Sequence, residues 1–336
     1  MSILRKFLFP FSLIYGLIIW LRNILYDCGI LKSTAFEVPV ICVGNLSVGG
    51  TGKTPMIEYL LRLLLPQYPT ATLSRGYGRS SKGFILLKGD EDASWVGDEP
   101  LQFKLKFPGA FIAVDENRQR GILNLLSQAS PRVILLDDAF QHRKVRAGLT
   151  ILLTTFGKLY SKDFILPAGN LREPAVGAKR AQIIIVTKCP FGLKTSDQEE
   201  IRDKLNLLSH QQLYFSYIDY AGFLLNDKGR QPMKHLYGKK IGLVTGIANP
   251  KPFCEYLEQQ KVNFTHLDFP DHHLFTEKEL LHFRKFELIL TTEKDYMRLK
   301  DILKHSQLFY IPIVTRFIKE EDKFRKEILQ FILNEK

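Results

Sequence analysis

The chain reads as an α/β protein: a doubly wound, mostly parallel sheet, then a second, smaller α/β domain joined to it by a two-stranded linker. Three observations predict this. Short apolar runs alternate with helical stretches through the first 212 residues, the pattern of parallel strands connected by crossover helices. One of those strands runs into a glycine-rich loop that opens a helix. From Leu213 to Tyr237 the pattern changes to extended segments around Asn226-Asp227-Lys228-Gly229, after which strand and helix alternate again.

Taken in order, Phe7 to Leu21 (FLFPFSLIYGLIIWL) carries no charge and lies between Arg5 and Lys6 on one side and Arg22 on the other. The run is shorter than the ~20 apolar residues a membrane span wants, and Pro10, Ser12 and Gly16 interrupt it. The following RNILYDC (Arg22 to Cys28) offers no small-x-small cleavage site, which argues against a secretory signal. A buried core helix would fit the apolar content. Tyr15, Trp20 and the flanking cations instead favour a helix lodged at a membrane interface. Residues 1–28 are therefore expected to form a membrane-associated helix, either spanning or lying in the interface.

Val38 to Val43 (VPVICV) reads as a buried parallel strand ended by Gly44, and Pro55 to Leu65 as the helix after the glycine loop. Further strands are expected at Thr70 to Leu73, Phe111 to Val114, Val133 to Leu136, Leu149 to Leu153 and Gln182 to Val186, with a helix at Arg118 to Gln128. This gives a nucleotide-binding domain over 29–212 and a hairpin linker over 213–238. Strands at Lys240 to Thr245, Leu288 to Thr291 and Leu308 to Ile313 then build a smaller domain over 239–336. Its lysine-rich end, from Lys319, places Phe324, Ile328, Phe331 and Ile332 on one face of a surface helix.

The composition agrees with folded domains. Of 336 residues 45% are hydrophobic and 24% charged, which excludes a disordered or collagen-like chain. Cys28, Cys42, Cys189 and Cys254 form no C-x-x-C pair and read as reduced thiols. A net charge of +12 attracts polyanions: nucleic acid, an anionic membrane, or a phosphorylated substrate. Nothing resembles a helix-turn-helix, zinc module or RNP motif, so no nucleic-acid partner is expected.

The chemistry centres on SVGGTGKT, residues Ser47, Val48, Gly49, Gly50, Thr51, Gly52, Lys53 and Thr54, set between a strand and a helix. Glycines let backbone amides curl around phosphate, the helix N-terminus adds partial positive charge, Lys53 reaches the β and γ phosphates and Thr54 suits Mg2+. Ser47 stands where the strict pattern has glycine. The signal is that of a P-loop NTPase-like fold. RVILLDD, Arg132 to Asp138, supplies the matching strand ending in carboxylates, with Asp137 and Asp138 as candidate magnesium ligands. Thr187-Lys188-Cys189-Pro190 lacks the aspartate of a guanine-reading element, so ATP rather than GTP is expected.

Around this loop stand GNLSVGGTGKTP (44–55), LSRGYGR (73–79), GDEP (97–100), LLDDAFQHR (135–143), LPAGNLREP (166–174), TKC (187–189), FPDHH (269–273) and TTEKDYMRL (291–299). In this order and combination, over roughly Arg5 to Ile313, the chain resembles the tetraacyldisaccharide 4'-kinases of lipid A synthesis. The resemblance implies transfer of the γ-phosphoryl of ATP to the 4' hydroxyl of a tetraacylated glucosamine disaccharide 1-phosphate, with Mg2+, at the cytoplasmic face of the bacterial inner membrane. A monomer is expected. The resemblance also offers an Asp and His pair: Asp98 of GDEP as base, and His272 of the DHH motif, rather than His273, to orient or charge-stabilise it across a cleft that closes over the site. Glu99 joins Asp137 and Asp138 as a candidate magnesium ligand. Asn45, Arg75, Arg79, Arg118, Arg120, Arg143 and Arg172 are candidates for donor or acceptor phosphates and sugar. Glu173 is expected either to touch sugar hydroxyls or to lock Arg172.

Overall fold

A computed structural model describes Arg5 and residues 7–247, 249–271, 273–303 and 307–334. The chain divides into two compact units, the first formed by Met1–Ile218 with Thr315–Lys336, the second by Asp219–Val314.

The first unit begins with α1 (Phe9–Asp27). At 19 residues it is longer than the uncharged run, because the helix continues through Arg22 and Asn23, and by length and composition it could cross a membrane. Its buried residues are not its apolar ones. Ser12, Gly16 and Asn23 face inward, whereas Phe11, Leu13, Ile14, Leu17, Ile18 and Leu21 are exposed. A helix on a soluble protein shows the opposite arrangement.

The elements that follow are β1 (Val40–Asn45), α2 (Lys53–Leu64), β2 (Thr70–Ser74), β3 (Ile85–Leu86), α3 (Ala93–Val96), α4 (Asp98–Lys106), β4 (Phe111–Val114), α5 (Arg118–Ala129), β5 (Val133–Asp137), β6 (Leu149–Thr155), β7 (Ile183–Thr187), α6 (Thr195–Leu205) and β8 (Gln212–Tyr220). The second unit carries β9 (Phe223–Asn226), β10 (Gly229–Pro232), β11 (Ile241–Thr245), α7 (Lys251–Gln259), β12 (Phe264–Asp268), α8 (Glu277–Phe283), β13 (Leu288–Thr291), α9 (Glu293–Leu303) and β14 (Leu308–Tyr310). The chain then returns through β15 (Ile313–Phe317) to α10 (Glu321–Asn334).

The first sheet has the order β15-β8-β7-β6-β1-β5-β2-β4-β3; the strands from β8 through β4 are parallel to one another, while β3 at one edge is antiparallel to β4 and β15 at the other runs antiparallel to β8, with Ala221 N on Pro312 O and Ile318 N on Phe215 O. Its central strands are apolar runs buried on both faces, as parallel sheets require. From β1 the chain leaves toward β2 on one side and later crosses to β6 on the other. This is a topological switch point, and the crevice beyond the strands' carboxyl ends is where such sheets bind ligands. Val43 pairs with both Asp137, the last residue of β5, and Ile151 of β6, so the carboxyl end of β5 lies beside β1 at that crevice while β1 and β6 run on to Asn45 and Thr155. The second sheet has the order β10-β9-β14-β13-β11-β12.

Two boundaries differ from those read in the sequence. The segment 213–238 is not one hairpin: β8 extends the first sheet beside β7, because Leu213–Phe215 is a buried apolar run, and the turn at Asn226–Gly229 joins β9 to β10 in the second sheet. The C-terminal helix does not belong to the smaller unit. Phe324, Ile328 and Ile332 of α10 are fully buried in the cluster formed by Ile57, Leu60 and Leu61 of α2 and Tyr214 of β8. Each such side chain contributes on the order of 1.5–3 kcal/mol when taken from water.

Candidate active site

The phosphate loop occupies the switch point. Gly49 (φ +100°) and Gly52 (φ +88°) adopt the left-handed conformation that favours glycine, and Gly52 caps the start of α2. The loop is tied down from behind. Asn45 donates from Nδ2 to Ser47 O (2.6 Å) and Thr51 Oγ1 (2.8 Å), Thr187 Oγ1 donates to Thr51 O (2.8 Å), and Val48 N donates to Asn170 O (2.8 Å). Asn45 is thus spent on holding the loop and is not presented to a substrate; its Oδ1 lies 3.5 Å from Lys53 Nζ.

Lys53 Nζ also lies 3.6 Å from Asp138 Oδ1, and Arg172 grips both oxygens of that carboxylate through Nη1 at 2.8 and 2.9 Å. Burial opposes ionisation of Asp138, but Lys53 and then Arg172 outweigh it and hold the carboxyl below its usual range. Asp137 differs in kind. It is buried, its Oδ1 has no partner among the described residues, and burial, reinforced by the charge of Asp138, pushes its pKa up to about 7. Arg118 lies in the same charge field, with Nη1 on Asp115 O (2.6 Å), Nη2 3.5 Å from Asp137 O and a buried Nε without a partner among the described residues. Burial lowers its pKa to about 10. Arg75 is exposed, and its charge reaches Arg118.

Among the described residues no three His, Cys, Asp or Glu side chains converge into a metal cage. That suits Mg2+, which takes one or two carboxylates and completes its shell with water and substrate phosphates. A buried carboxylate oxygen without a partner beside a glycine cradle fits such an ion.

Asp98 and Glu99 open α4, where acidic residues complement the helix terminus. The charge of Glu99 is felt at Asp137, which places the start of α4 toward the same crevice. Gly97 (φ +100°) precedes Asp98, and a Cβ there would come within 3.3 Å of Gly76 Cα and Tyr77 O. The R-G-Y-G loop therefore touches the G-D-E-P loop backbone to backbone, which accounts for Gly76, where a Cβ would also come within 2.7 Å of Val96 O. Arg79 is also structural, donating to Gly83 O (2.8 Å) and Glu116 Oε2 (2.6 Å).

Besides Asn45 and Arg79, three further residues expected to contact substrate are engaged elsewhere. Arg120 forms two bonds to Asp115 (2.9 and 2.7 Å) and one to Glu116 (2.9 Å). Arg143 holds α1, through Asn23 O (2.8 Å) and Asp27 Oδ1 (2.6 Å). Glu173 is fully buried and locks Arg180 rather than Arg172, accepting from Arg180 Nη2 at both oxygens (2.9 Å each), from Asn23 Nδ2 (2.9 Å) and from Gln141 Nε2 (3.0 Å). His272 lies outside the described residues. His273 binds Glu279 at 3.1 Å and stacks on Phe269.

Sequence reasoning missed three site residues. Lys188 reaches the loop, its Nζ 3.8 Å from the position of a Cβ on Gly50; burial, then the charges of Lys158 and Lys53, lower its pKa. Gln141 donates to Asn45 O (2.9 Å) at the end of β1. His142 is half-buried beside Arg118 and Arg75, and burial followed by those two charges pushes its pKa down to about 4. All three lie inside the quoted motifs, TKC and LLDDAFQHR, so motif position was the available signal.

A glycine loop opening a helix at the switch point, a lysine directed at the adjacent strand's terminal carboxylates and a second acidic helix start define a P-loop phosphotransferase. A family model for tetraacyldisaccharide-1-P 4'-kinase matches residues 4–333. Among relatives, the tetraacyldisaccharide 4'-kinase of Flavobacterium johnsoniae is 53% identical over 99% of this chain and 98% of its own, and that of Bacteroides thetaiotaomicron is 43% identical over 98% and 93%. The crystal structure of LpxK from Aquifex aeolicus in complex with ATP superposes with a TM-score of 0.80 at 33% identity, covering 98% of this chain and all of that one. The chain belongs to the tetraacyldisaccharide 4'-kinase family and is an ATP-dependent kinase of lipid A biosynthesis.

Proposed function

We propose that this kinase moves the γ-phosphoryl group of ATP to the 4' hydroxyl of a tetraacylated glucosamine disaccharide 1-phosphate, acting as a monomer seated by α1 on the cytoplasmic face of the inner membrane. The observation that carries the reading is the cluster of Lys53, Arg172 and Asp138 at the mouth of the glycine loop, beside the unpartnered oxygen of Asp137. Backbone amides of Ser47 to Thr54 and the Lys53 ammonium bind the donor phosphates. Thr54, Asp137, Asp138 and Glu99 are the residues to hold Mg2+, which when bound neutralises charge on the β and γ phosphates. Asp98 takes the proton of the 4' hydroxyl as its oxygen bonds to the γ phosphorus, and ADP leaves. Arg118 and Arg75 supply positive charge where the equatorial oxygens gather negative charge.

The membrane seat rests on α1. Its polar stripe is used on the protein: Ser12 Oγ accepts from Ala168 N (2.9 Å), Tyr15 donates to Arg172 O (3.0 Å) and Asn23 donates to Glu173 (2.9 Å). Its apolar face is left for lipid. The same contacts seat α1 against the segment that carries Arg172, so a lipid acceptor entering from the bilayer would meet the catalytic crevice without leaving the membrane surface. Flotation with vesicles containing anionic phospholipid tests this: wild type floats, and a variant with Leu13, Ile14, Leu17 and Ile18 changed to Ser remains at the bottom. Equal flotation would overturn the seat. For the chemistry, Asp98→Asn is expected to lower kcat by orders of magnitude with ATP affinity preserved, and near-normal turnover would overturn the base assignment.

A further inference from the structure

A base at the start of α4 is useful only if that helix is held in register with the phosphate loop. Glu58, on α2, is 2% exposed, and a carboxylate so deep requires compensation. It receives three donors: Arg62 Nη2 at 2.9 Å, Lys106 Nζ at 2.7 Å and, at Oε1, Gln102 Nε2 at 2.9 Å. Gln102 and Lys106 both belong to α4. Glu58 stands four residues after Thr54, and Gln102 stands four residues after Asp98. Residues four apart share a helix face about 6 Å apart, so each tied residue lies one turn from a residue of the site. The contact of Gly97 with Gly76 secures the other end of the same helix.

We propose that Glu58 is a positioning residue for phosphoryl transfer: through Gln102 and Lys106 it clamps the helix that begins with Asp98 against the helix that begins with Lys53. This rests on the reading of Asp98 as base. A carboxylate serving stability alone would leave the turnover of folded enzyme unchanged, whereas a clamp sets the distance between base and donor phosphate, on which reactivity depends steeply.

The experiment uses the full chain in detergent micelles with ATP and the tetraacyldisaccharide 1-phosphate, well below the thermal midpoint of every variant. Gln102→Leu removes the donor and keeps an apolar volume. It is expected to lower kcat about tenfold while ATP affinity and the acceptor KM stay within twofold. The exchange Glu58→Gln with Gln102→Glu reverses donor and acceptor, keeps one carboxylate near Lys106, and is expected to recover at least half of the wild-type kcat. Lys106→Met, which leaves the Glu58 and Gln102 pair intact, is expected to lower kcat several-fold and serves if Gln102→Leu does not fold. Wild-type kcat in Gln102→Leu and Lys106→Met, or an exchange variant no better than Gln102→Leu, would overturn the proposal. Asp98→Asn run in parallel separates the two levels. If it is inactive while Gln102→Leu is fully active, the clamp alone is wrong; if it keeps wild-type turnover, the base reading fails and the clamp with it.

Discussion

Glu173→Gln distinguishes a residue that contacts sugar from one that holds the protein together. The wild-type carboxylate is fully buried, accepts two bonds from Arg180, and accepts one each from Asn23 and Gln141. Glutamine preserves the volume but turns one oxygen into a donor that faces other donors, and it leaves Arg180 without its counter-charge. Breaking a buried ion pair from one side costs about 3–5 kcal/mol. The Arg180 side chain is 24% exposed and retains the Phe140 ring at 4.4 Å, which places the loss at the lower end, about 3 kcal/mol. In a unit of 240 residues each kcal/mol moves Tm by roughly 2–4 °C, so scanning calorimetry should show that unit's transition shifted down by about 6–12 °C. The acceptor KM of enzyme assayed well below that midpoint should change little. A Tm within 2 °C of wild type together with a raised acceptor KM would instead place Glu173 in contact with the substrate.

Gly97→Ala places a Cβ 3.3 Å from Gly76 Cα at φ +100°, so it should displace Asp98, with kcat falling at least tenfold and ATP affinity by calorimetry unchanged; a normal kcat would contradict the contact. His142 is held neutral, with a folded-state pKa near 4 against an ordinary 6.5, so the unfolded chain binds its proton first as pH falls. Its contribution to stability is complete above about pH 6.5 and is lost progressively toward pH 4. Tm measured across that window should fall less steeply in His142→Gln than in wild type, and parallel curves would count against it.

What was legible in the sequence is what is local. VPVICV, RVILLDD and SVGGTGKT announce strands, carboxylates and loop because burial on both faces and phosphate cradling each leave a mark within a few neighbouring residues. What was hidden is pairing over distance. Arg120 and Arg143 look like free phosphate binders until Asp115 and Asp27 are found beside them, and Glu173 adjoins Arg172 in the chain yet binds Arg180 one helical stretch later. The apolar stripe of Phe324, Ile328 and Ile332 says that α10 packs, but an amphipathic helix does not name the surface it covers. In α1 the run of leucine and isoleucine concealed the informative residues, the small and polar stripe of Ser12, Tyr15, Gly16 and Asn23 by which the helix is fastened.

The most direct test of the account is transfer of labelled γ-phosphate from ATP to the tetraacyldisaccharide 1-phosphate in detergent micelles, with Lys53→Ala alongside. Lys53 Nζ lies 3.6 Å from Asp138 at the mouth of the loop, and its loss should abolish both tight ATP binding and product. Labelled lipid from wild type and none from Lys53→Ala is the predicted result; equal labelling by the two, or no labelled lipid from wild type that binds ATP, would contradict it.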